Sequence, residues 1–440
     1  METSMENIKM ERYPEYKDSG VKWIGEIPQE WEIQKGKWLF TKQERPVRKQ
    51  DEIVTCFRDG QVTLRSNRKT EGFTNALKEH GYQGIRKGDL VIHNMDAFAG
   101  AIGVSESDGK STPVYSACIP RQKNKVNPYY YAYFLRNLAK SGLIESLAKG
   151  IRERSTDFRF SDFGVLLLTF PSLPDQTRIA HFLDQKTAQI DQAIAQKERL
   201  IELLKERRQI LIHNAVTRGL NPDVKMKESG VEWIGEVPEH WGVKPLRAIG
   251  KCQNGISKGA DYFGSGFPFV SYGDVYKNII LPPEASGLAA SSDLDRNFYS
   301  VKEGDVFFTR TSETVEEIGF SSTCMETIEN ATFSGFLIRF RPNFDIAKEF
   351  SKYYFSSRTH RAFFVKEMNL VIRASLSQEL LKRLPVLLPP MQEQIIIANY
   401  LDNVVIKIAT AITLKEQEIE KLKEYKATLI NSAVTGKIKV

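Results

Sequence analysis

The chain repeats itself, and this repeat constrains its fold more than any other feature of the sequence. The stretch SGVKWIGEIPQEW at residues 19–31 returns as SGVEWIGEVPEHW at residues 229–241, a shift of 210 in a chain of 440 residues. Both tryptophans of the first copy recur at the same spacing, as Trp233 and Trp241. Such a duplication predicts two copies of one structural unit on a common frame, with the four tryptophans buried where each copy joins the frame.

The two halves agree most closely in two long segments that have the pattern of an amphipathic helix. Each begins at a proline, Pro174 or Pro390, and contains no further proline or glycine until Gly219 or Gly436. Proline suits the first turn of a helix and glycine its end. Apolar residues recur at alternating steps of three and four, which is the pattern of a coiled-coil seam. The predicted seam consists of Leu183, Ile190, Ile194, Ile201, Leu204 and Leu211 in the first segment and, 218 residues later, Leu401, Ile408, Ile412, Ile419, Leu422 and Leu429 in the second.

Cations interrupt the two seams at equivalent positions, at Lys197 and Arg208 in the first helix and at Lys415 and Lys426 in the second. The alternative is two unrelated amphipathic helices, each on its own domain, which would not need matched interruptions. A cation in a buried seam lowers stability and fixes the register of the paired helices. We therefore predict that the helices pack on each other. The antiparallel direction is favoured because a folded block separates them and a two-fold relation becomes possible.

The remaining sequence forms two globular blocks, here called heads, that mix helix and strand. Short β-branched runs such as IVTCF and VYSACI in the first head and DVFFT in the second predict strands. Gly88 and Gly304 are 216 residues apart, whereas the shift is 210 at the tryptophan motifs and 218 in the long helices. The loops of the two heads must therefore differ in length. The sequence thus predicts an α+β protein with two mixed α/β heads, separated by two long helices that form an intramolecular antiparallel coiled coil, with a pseudo-two-fold internal repeat. The predicted segments are the first head at 1–171, the first helix at 172–219, the second head at 220–389 and the second helix at 390–440.

Composition narrows the classes of partner. The net charge of +7 and an isoelectric point near 8.9 favour an acidic partner such as nucleic acid. No uninterrupted run reaches the roughly 18 apolar residues of a membrane span, and the first twenty residues are too polar for a signal peptide. The four cysteines form no C-x-x-C pair, which predicts neither a zinc site nor disulfides. We expect a cytoplasmic protein with no membrane partner.

Three short motifs imitate enzyme signatures. DAFAGAIG at 96–103 resembles a methyl-donor pocket but lacks its closing glycine, and NPYY at 127–130 resembles the N-P-P-Y of amino methyltransferases but lacks the second proline. Only about 25 residues separate them, fewer than the ~30 of a single βαβ unit. GVSESDGKS at 103–111 places five residues between its glycines where a phosphate loop requires four. We expect no catalytic, cofactor-binding or metal-binding residues in this chain.

The repeated features carry a family resemblance. The paired SGV-W-IGE-P--W motifs, the helix starts LPDQTRIAHFLDQ and PPMQEQIIIANYLDN, and the head–helix–head–helix order resemble the specificity subunit of type I restriction-modification enzymes. The resemblance covers nearly the whole chain. It is specific in the helices and the tryptophan motifs and weak within the heads.

The resemblance implies a non-catalytic DNA-recognition subunit. Each head would be a target-recognition domain that reads one half of a bipartite, asymmetric DNA site, with the helices as a spacer. Two methylation subunits, which use S-adenosylmethionine to methylate adenine, would dock on the chain. Two restriction subunits, which need ATP and Mg²⁺, would join them.

Reading a DNA sequence requires side chains at base edges and others that hold phosphates. Arg to guanine and Asn or Gln to adenine are the commonest bidentate pairs. The candidates in the first head are Arg65, Asn67, Arg68, Lys69, Arg152, Arg154 and Arg159, and in the second Lys258, Arg310, Arg358, Arg361 and Arg373. Asn94 and Thr309, just after equivalent predicted strands, are secondary candidates. For each of them an ordinary surface role is the alternative.

Two other functions fit the same pattern. One is a stand-alone DNA-binding regulator with two unlike heads, and the other is a coiled-coil scaffold for protein partners only. A regulator would bind its sequence tightly when purified alone, whereas a specificity subunit should need its methylation subunit. A scaffold would show no sequence preference in either state.

Overall fold

The structure is a computed structural model, and it describes residues 11–68, 81–147, 157–312, 318–343, 346–357, 363–364 and 374–440. The chain divides into two compact units, Met1–Lys197 with Gln417–Val440 and Glu198–Glu416. The first unit therefore contains the first head, the beginning of the first long helix and the end of the second. The second unit contains the second head and the complementary parts of both helices.

The first head consists of short strands and short helices that lead into a long helix. Its strands are β1 (Tyr16–Asp18), β2 (Glu26–Pro28), β3 (Glu32–Lys35), β4 (Phe40–Gln43), β5 (Val54–Cys56), β6 (Val62–Leu64), β7 (Gln83–Ile85), β8 (Leu90–His93), β9 (Ile102–Val104), β10 (Gly109–Ser111), β11 (Tyr115–Pro120) and β12 (Leu167–Phe170). Its helices are α1 (Gly36–Leu39), α2 (Pro128–Lys140), α3 (Leu143–Leu147) and α4 (Phe160–Val165), followed by the long α5 (Leu173–Arg218).

The second head has a similar sequence of elements. Its strands are β13 (Met226–Glu228), β14 (Glu236–Pro238), β15 (Gly242–Pro245), β16 (Gly250–Asn254), β17 (Phe263–Val270), β18 (Gly287–Ala289), β19 (Val306–Thr309), β20 (Thr311–Ser312), β21 (Ser321–Thr323), β22 (Thr332–Phe333), β23 (Leu337–Pro342), β24 (Ala374–Ser375) and β25 (Pro385–Leu388). Its helices are α6 (Tyr272–Tyr276), α7 (Asp293–Phe298), α8 (Lys348–Ser356) and α9 (Gln378–Lys382), followed by the long α10 (Met391–Val434).

Each head is built around a four-stranded antiparallel sheet, and the two sheets have the same strand order. The order is β4-β11-β8-β9 in the first head and β16-β23-β19-β21 in the second. The turns before β8 and β19 also match, because the N–H of Gly88 donates to Ser105 (2.8 Å) and that of Gly304 donates to Cys324 (2.9 Å). The predicted equivalence of Gly88 and Gly304 is confirmed.

The strands around the central sheets differ between the heads. In the first head β5 pairs with β6 and β7 with β10. In the second head β17 pairs with β18 and, in parallel, with β22, and its register breaks between Phe263 and Phe267. Gly264 and Gly266 lie within this break with positive φ angles of 98° and 99°, a conformation that favours glycine. These peripheral differences account for the drifting sequence shift between the heads.

The tryptophan motif joins the core of each unit. Trp31 and Trp241 are both 1% exposed, which confirms their predicted burial. Trp23 and Trp233 are half-buried and pack against the edges of the same two cores. The repeated motif is therefore a packing element, and its recurrence reflects two equivalent cores.

Part of each predicted seam lies in these cores, with Leu183, Ile190, Leu422 and Leu429 in that of the first unit and Leu401 in that of the second. Every seam residue predicted from the sequence is buried or half-buried, whereas Leu203 and Ile210, which lie off the seam, are 44% and 50% exposed. Helix α5 begins and ends within one residue of the predicted segment 172–219, whereas α10 ends at Val434, six residues before the end of the predicted segment 390–440. Gly219 and Gly436 have positive φ angles of 74° and 75° just beyond the ends of α5 and α10.

Helix α10 is, by length and composition, apolar enough to cross a membrane, since one 18-residue window has a mean hydropathy of 1.6. The expectation from the sequence considered only uninterrupted apolar runs, and the charged residues Asp402 and Lys407 interrupt any such run in this helix. The averaged window corrects that expectation for α10. Ile397 and Leu401 are buried in the core of the second unit, and Asp402 accepts a hydrogen bond from Lys352 (2.6 Å). The core helix of a globular protein passes the same test, so this feature is weak evidence for membrane insertion.

Candidate nucleic-acid interface

A buried glutamine fixes the beginning of each long helix to its head. The side chain of Gln176 accepts the N–H of Asn127 (2.8 Å) and donates to the carbonyl of Pro171 (2.8 Å). Gln394 accepts the N–H of Ala347 (2.9 Å) and donates to the carbonyl of Pro389 (2.9 Å). The two side chains are 0% and 2% exposed. Each amide thus ties the long helix to the chain just before α2 or at the start of α8.

About two helical turns further along, an aspartate holds each long helix against the same head helix. Asp184 on α5 accepts the hydroxyl of Tyr133 on α2 (2.7 Å). Asp402 on α10 accepts the hydroxyl of Tyr353 on α8 (2.5 Å). Burial and the hydrogen bond to the aspartate raise the pKa of Tyr353, and burial raises that of Tyr133. The phenols therefore stay neutral donors, and both heads have a fixed position on their helices.

The tryptophan motif of each head contacts the end of the other long helix in its unit. A Cβ atom on Gly436, beyond α10, would lie 2.4 Å from Pro28 and 2.9 Å from Trp31. A Cβ atom on Gly219, beyond α5, would lie 3.3 Å from Trp241. Glycine is thus needed both for the left-handed turn and for this close approach.

At one end of the central sheet of the first head, three segments meet at two backbone hydrogen bonds. The N–H of Asn94, just after β8, donates to the carbonyl of Val114 (2.8 Å), and the N–H of Phe158 donates to the carbonyl of Asn94 (3.0 Å). The hydroxyl of Ser116 also donates to the side-chain oxygen of Asn94 (3.0 Å). We call this place, defined by Asn94, Val114 and Phe158, the strand-end junction of the first head.

The second head has the same junction with different side chains. The N–H of Arg310, just after β19, donates to the carbonyl of Phe336 (2.9 Å), and the N–H of Leu376 donates to the carbonyl of Arg310 (2.7 Å). The strand-end junction of the second head is therefore Arg310, Phe336 and Leu376. A repeated backbone with altered side chains is the arrangement expected of two heads that recognise different ligands.

Arg159 and Arg310 lie at or next to these junctions, and a third predicted DNA-binding residue, Lys258, follows the segment that packs against Gly335. Arg159 follows Phe158 directly, is 68% exposed and is held by Asp157 (2.7 Å). Arg310 is half-buried, and its guanidinium donates to the carbonyl of Gly335 (3.4 Å). Lys258 is exposed, with its ammonium 5.8 Å from the ring centre of Tyr262.

The other described candidates form a second group in the first head, in and after the turn that follows β6. Arg65 donates to the hydroxyl of Thr55 (3.3 Å) and Asn67 to that of Thr63 (3.0 Å). The hydrogen bond from Arg68 to Asp59 (2.5 Å) raises the pKa of this arginine. A DNA phosphate would have to share or replace the carboxylate partner of Arg68. The remaining candidates, Lys69, Arg152, Arg154, Arg358, Arg361 and Arg373, lie outside the described residues.

The junctions correct one secondary candidate and add two residues. Thr309 is fully buried, and its hydroxyl accepts the N–H of Phe320 (2.9 Å), so it cannot face DNA; Arg310 is the true equivalent of Asn94. Arg58, which is 65% exposed and paired with Asp96 (2.8 Å), was missed because it stands alone in the sequence. Phe336 is 61% exposed and was missed because an apolar residue in a strand-like run predicts burial.

The enzyme-like motif at Asn127 has a structural explanation. The side chain of Asn127 accepts the N–H of Tyr129 (2.9 Å) and caps α2, with Pro128 as the first helical residue. Within the described part of the chain, no group of three or more His, Cys, Asp and Glu side chains is arranged to hold a metal ion. The four cysteines are free thiols, and burial raises the pKa of Cys252 and of Cys324 to about 12.

Comparison with known proteins agrees with these features. A family model described as the type I restriction modification DNA specificity domain matches residues 238–424. The EcoKI type I restriction enzyme specificity subunit of Escherichia coli is 25% identical over 418 residues, covering 89% of this chain and 85% of that protein. The putative MjaX specificity subunit of Methanocaldococcus jannaschii is 24% identical over 441 residues, covering 95% and 96%. The predicted resemblance to type I specificity subunits is confirmed.

Solved structures show the same fold. A chain from a structure described as the basis of complex assembly and conformational transition of the type I R-M system matches with a TM-score of 0.70 at 14% identity, covering 93% of this chain and 98% of that one. The crystal structure of the HsdS subunit from Thermoanaerobacter tengcongensis matches with a TM-score of 0.57 at 16% identity, covering 94% and 98%.

Proposed function

We propose that this chain, a relative of type I specificity subunits along nearly its whole length, is the sequence-specific DNA-recognition subunit of a type I restriction-modification complex. Each head reads one half of a bipartite, asymmetric site. The observation that carries the proposal is the strand-end junction, which repeats the same backbone bonds around Asn94 in one head and Arg310 in the other. Amide and guanidinium groups pair with different bases, so one frame can present two specificities.

Charge favours DNA over a protein-only scaffold. The chain carries a net charge of +7, and Arg159 and Arg310 lie at or next to the two junctions. Cations that neutralise phosphates supply much of the affinity for DNA, while groups at base edges supply the specificity. A scaffold that binds only proteins would not need unlike polar groups at the matching position of each head.

The two long helices form one antiparallel coiled coil that sets the spacing of the heads. Within the first unit, Lys426 pairs with Asp191 (2.6 Å) and Glu418 pairs with Lys197. The residue number falls in α10 as it rises in α5, which supports the antiparallel direction. In the second unit Ile212 shares a core with Leu401, as this direction requires.

The duplicated frame suits partners that bind in pairs. Two methylation subunits dock on the repeated helices and tryptophan motifs, and two restriction subunits join them. Catalysis, with S-adenosylmethionine, ATP and Mg²⁺, belongs to those partners, and this chain contributes recognition alone. The complex works in the cytoplasm on double-stranded DNA and has no membrane partner.

The experiment compares the purified chain with its complex. The chain is assayed for S-adenosylmethionine binding, DNA affinity and methyl transfer, alone and after co-expression with its methylation subunit. We expect the complex to bind S-adenosylmethionine, to bind DNA tightly and to methylate adenine in one bipartite motif. The chain alone should neither bind S-adenosylmethionine nor transfer methyl groups, and it should bind DNA weakly.

Each alternative has its own result. Tight sequence-specific binding by the isolated chain would favour a regulator, and no sequence preference in either state would favour a scaffold. Methyl transfer by the isolated chain that is lost in Asn127→Ala would contradict the proposal that this chain contributes recognition alone.

A further inference from the structure

The loop before β23 in the second head is held rigidly. The N–H of Gly335 donates to the carbonyl of Ile256 (2.8 Å), and the N–H of Phe336 donates to the hydroxyl of Ser334 (3.2 Å). The carbonyl of Phe336 accepts the N–H of Arg310 (2.9 Å). The backbone on both sides of Phe336 is therefore fixed by neighbouring segments.

This loop also touches the segment that carries Lys258. A Cβ atom on Gly335 would clash with the hydroxyl of Ser257 and lie 2.9 Å from the carbonyl of Ile256, and one on Gly255 would clash with the carbonyl of Ser334. Two backbones can approach this closely only where both positions are glycine. Lys258, which follows Ser257, and Arg310 therefore belong to the two segments that hold the loop of Phe336.

The ring of Phe336 is presented to solvent at this place. It is 61% exposed, although its neighbour Leu337 is fully buried. A single exposed apolar side chain is ordinary on a protein surface. Here, however, the exposed ring sits on a fixed loop that is bonded to the segments of two cations, Lys258 and Arg310. An exposed ring near segments that carry cations suits a DNA partner, because cations bind phosphates and apolar side chains contact the edges of bases.

The first head carries a different residue at the same position. Val114 makes the equivalent bond to Asn94 and is half-buried, where it packs against a cluster formed by residues of β5, β6 and β8. The second head thus replaces a small, packed side chain by a large, exposed ring. At this equivalent backbone position, the two heads therefore differ in the size and the exposure of an apolar side chain.

We propose that Phe336 is a specificity-determining residue of the second head, whose ring packs against the 5-methyl group of a thymine in the half-site that this head reads. This contact rests on the DNA-recognition function proposed above. Apolar side chains, phenylalanine among them, recognise thymine through this methyl group in the major groove. Arg310 and Lys258 hold the neighbouring backbone or bases, which fixes the ring at one base pair.

The test uses the complex of the full chain with its methylation subunit and DNA in which each thymine of the second half-site is replaced in turn by deoxyuridine, which lacks only the methyl group. We expect one such replacement to weaken binding of the wild type about fourfold, the effect of one buried methyl group. Phe336→Ala should weaken binding to the thymine site about tenfold and remove the difference between thymine and deoxyuridine. Phe336→Leu should restore part of that difference.

Phe298→Ala is the matched control, because Phe298 is 64% exposed on the same head but lies on α7. It should keep the sensitivity of the wild type to deoxyuridine. The inference is overturned if no replacement weakens wild-type binding, if Phe336→Ala keeps the sensitivity, or if Phe336→Ala only reduces co-purification of the methylation subunit. A wild-type complex that methylates no bipartite motif would instead refute the proposed function.

Discussion

At the scale of single residues, the heads are fixed to the helices by buried polar groups. Gln176 satisfies one N–H and two carbonyls, those of Pro171 and Lys125, with one fully buried amide. Removing a buried hydrogen-bonding group costs the desolvation of the partners it leaves behind. The stability of each unit should therefore depend on its glutamine more than on any exposed polar residue of the same helix.

We expect Gln176→Leu to lower the free energy of unfolding by about 2–3 kcal/mol, since it leaves several buried backbone groups without partners. Urea denaturation of the full chain measures this. Gln192→Leu, at an exposed position of the same helix, is the control and should change stability by less than about 0.5 kcal/mol. Equal effects of the two variants would show that the buried amide has no special role.

Several of these residues could be found from the sequence, and the failures have physical causes. The repeated motif predicts the burial of Trp31 and Trp241. The shift of 218 that relates the two seams also relates Gln176 to Gln394, so the repeat contains a signal for these two buried glutamines as well. The prediction of Thr309 as the equivalent of Asn94 is wrong because it uses a shift of 215, whereas the paired strands of the two sheets require 216. A slip of one residue in a strand moves a side chain to the other face.

At the scale of elements, the long helices were the most predictable part of the chain. Their seams follow from a periodic pattern over about eight turns, and every predicted seam residue is buried or half-buried. The strands around the central sheets were less predictable, because they are short and their pairing depends on contacts distant in sequence. The bulged β17 and its parallel pairing with β22 have no local signal in the sequence.

Charge reversal tests the direction of the helices. Lys197 and Glu418 form an ion pair within the first unit, so Lys197→Glu should destabilise the chain by about 1 kcal/mol or less, given that both side chains are partly exposed. The double variant Lys197→Glu with Glu418→Lys should recover most of the loss in thermal unfolding experiments. If the second change gave no recovery, the helices would not be paired in this register.

Shortening both helices tests whether they set the spacing of the half-sites. Deleting Ile194–Leu200 together with Ile412–Glu418 removes one heptad from each seam and keeps both in phase. The coil shortens by ~10 Å at 1.5 Å per residue, and DNA advances ~3.4 Å per base pair. We therefore expect both half-sites to persist with a gap about three base pairs shorter, which mapping of the methylated motif measures. An unchanged gap would assign the spacing to the partner subunits.

At the scale of the whole molecule, the chain is one structural plan used twice. The central sheets share a strand order, and the buried glutamines, the aspartate–tyrosine pairs and the strand-end junctions occur in both units. What differs is the side chains at the junctions and the peripheral strands. Conserving the frame while varying these positions would let recognition change in one head without disturbing the other.

Exchange of one head is the most direct test of this independence. Residues 1–171 are replaced by the corresponding head of a relative with a different recognition sequence, and the hybrid is co-expressed with the methylation subunit. Sequencing of methylated genomic DNA then gives the recognised motif. We expect a bipartite motif in which one half is new and the other half and the gap are those of the unaltered chain. A change in both halves, or methylation without a bipartite motif, would contradict recognition by two independent heads.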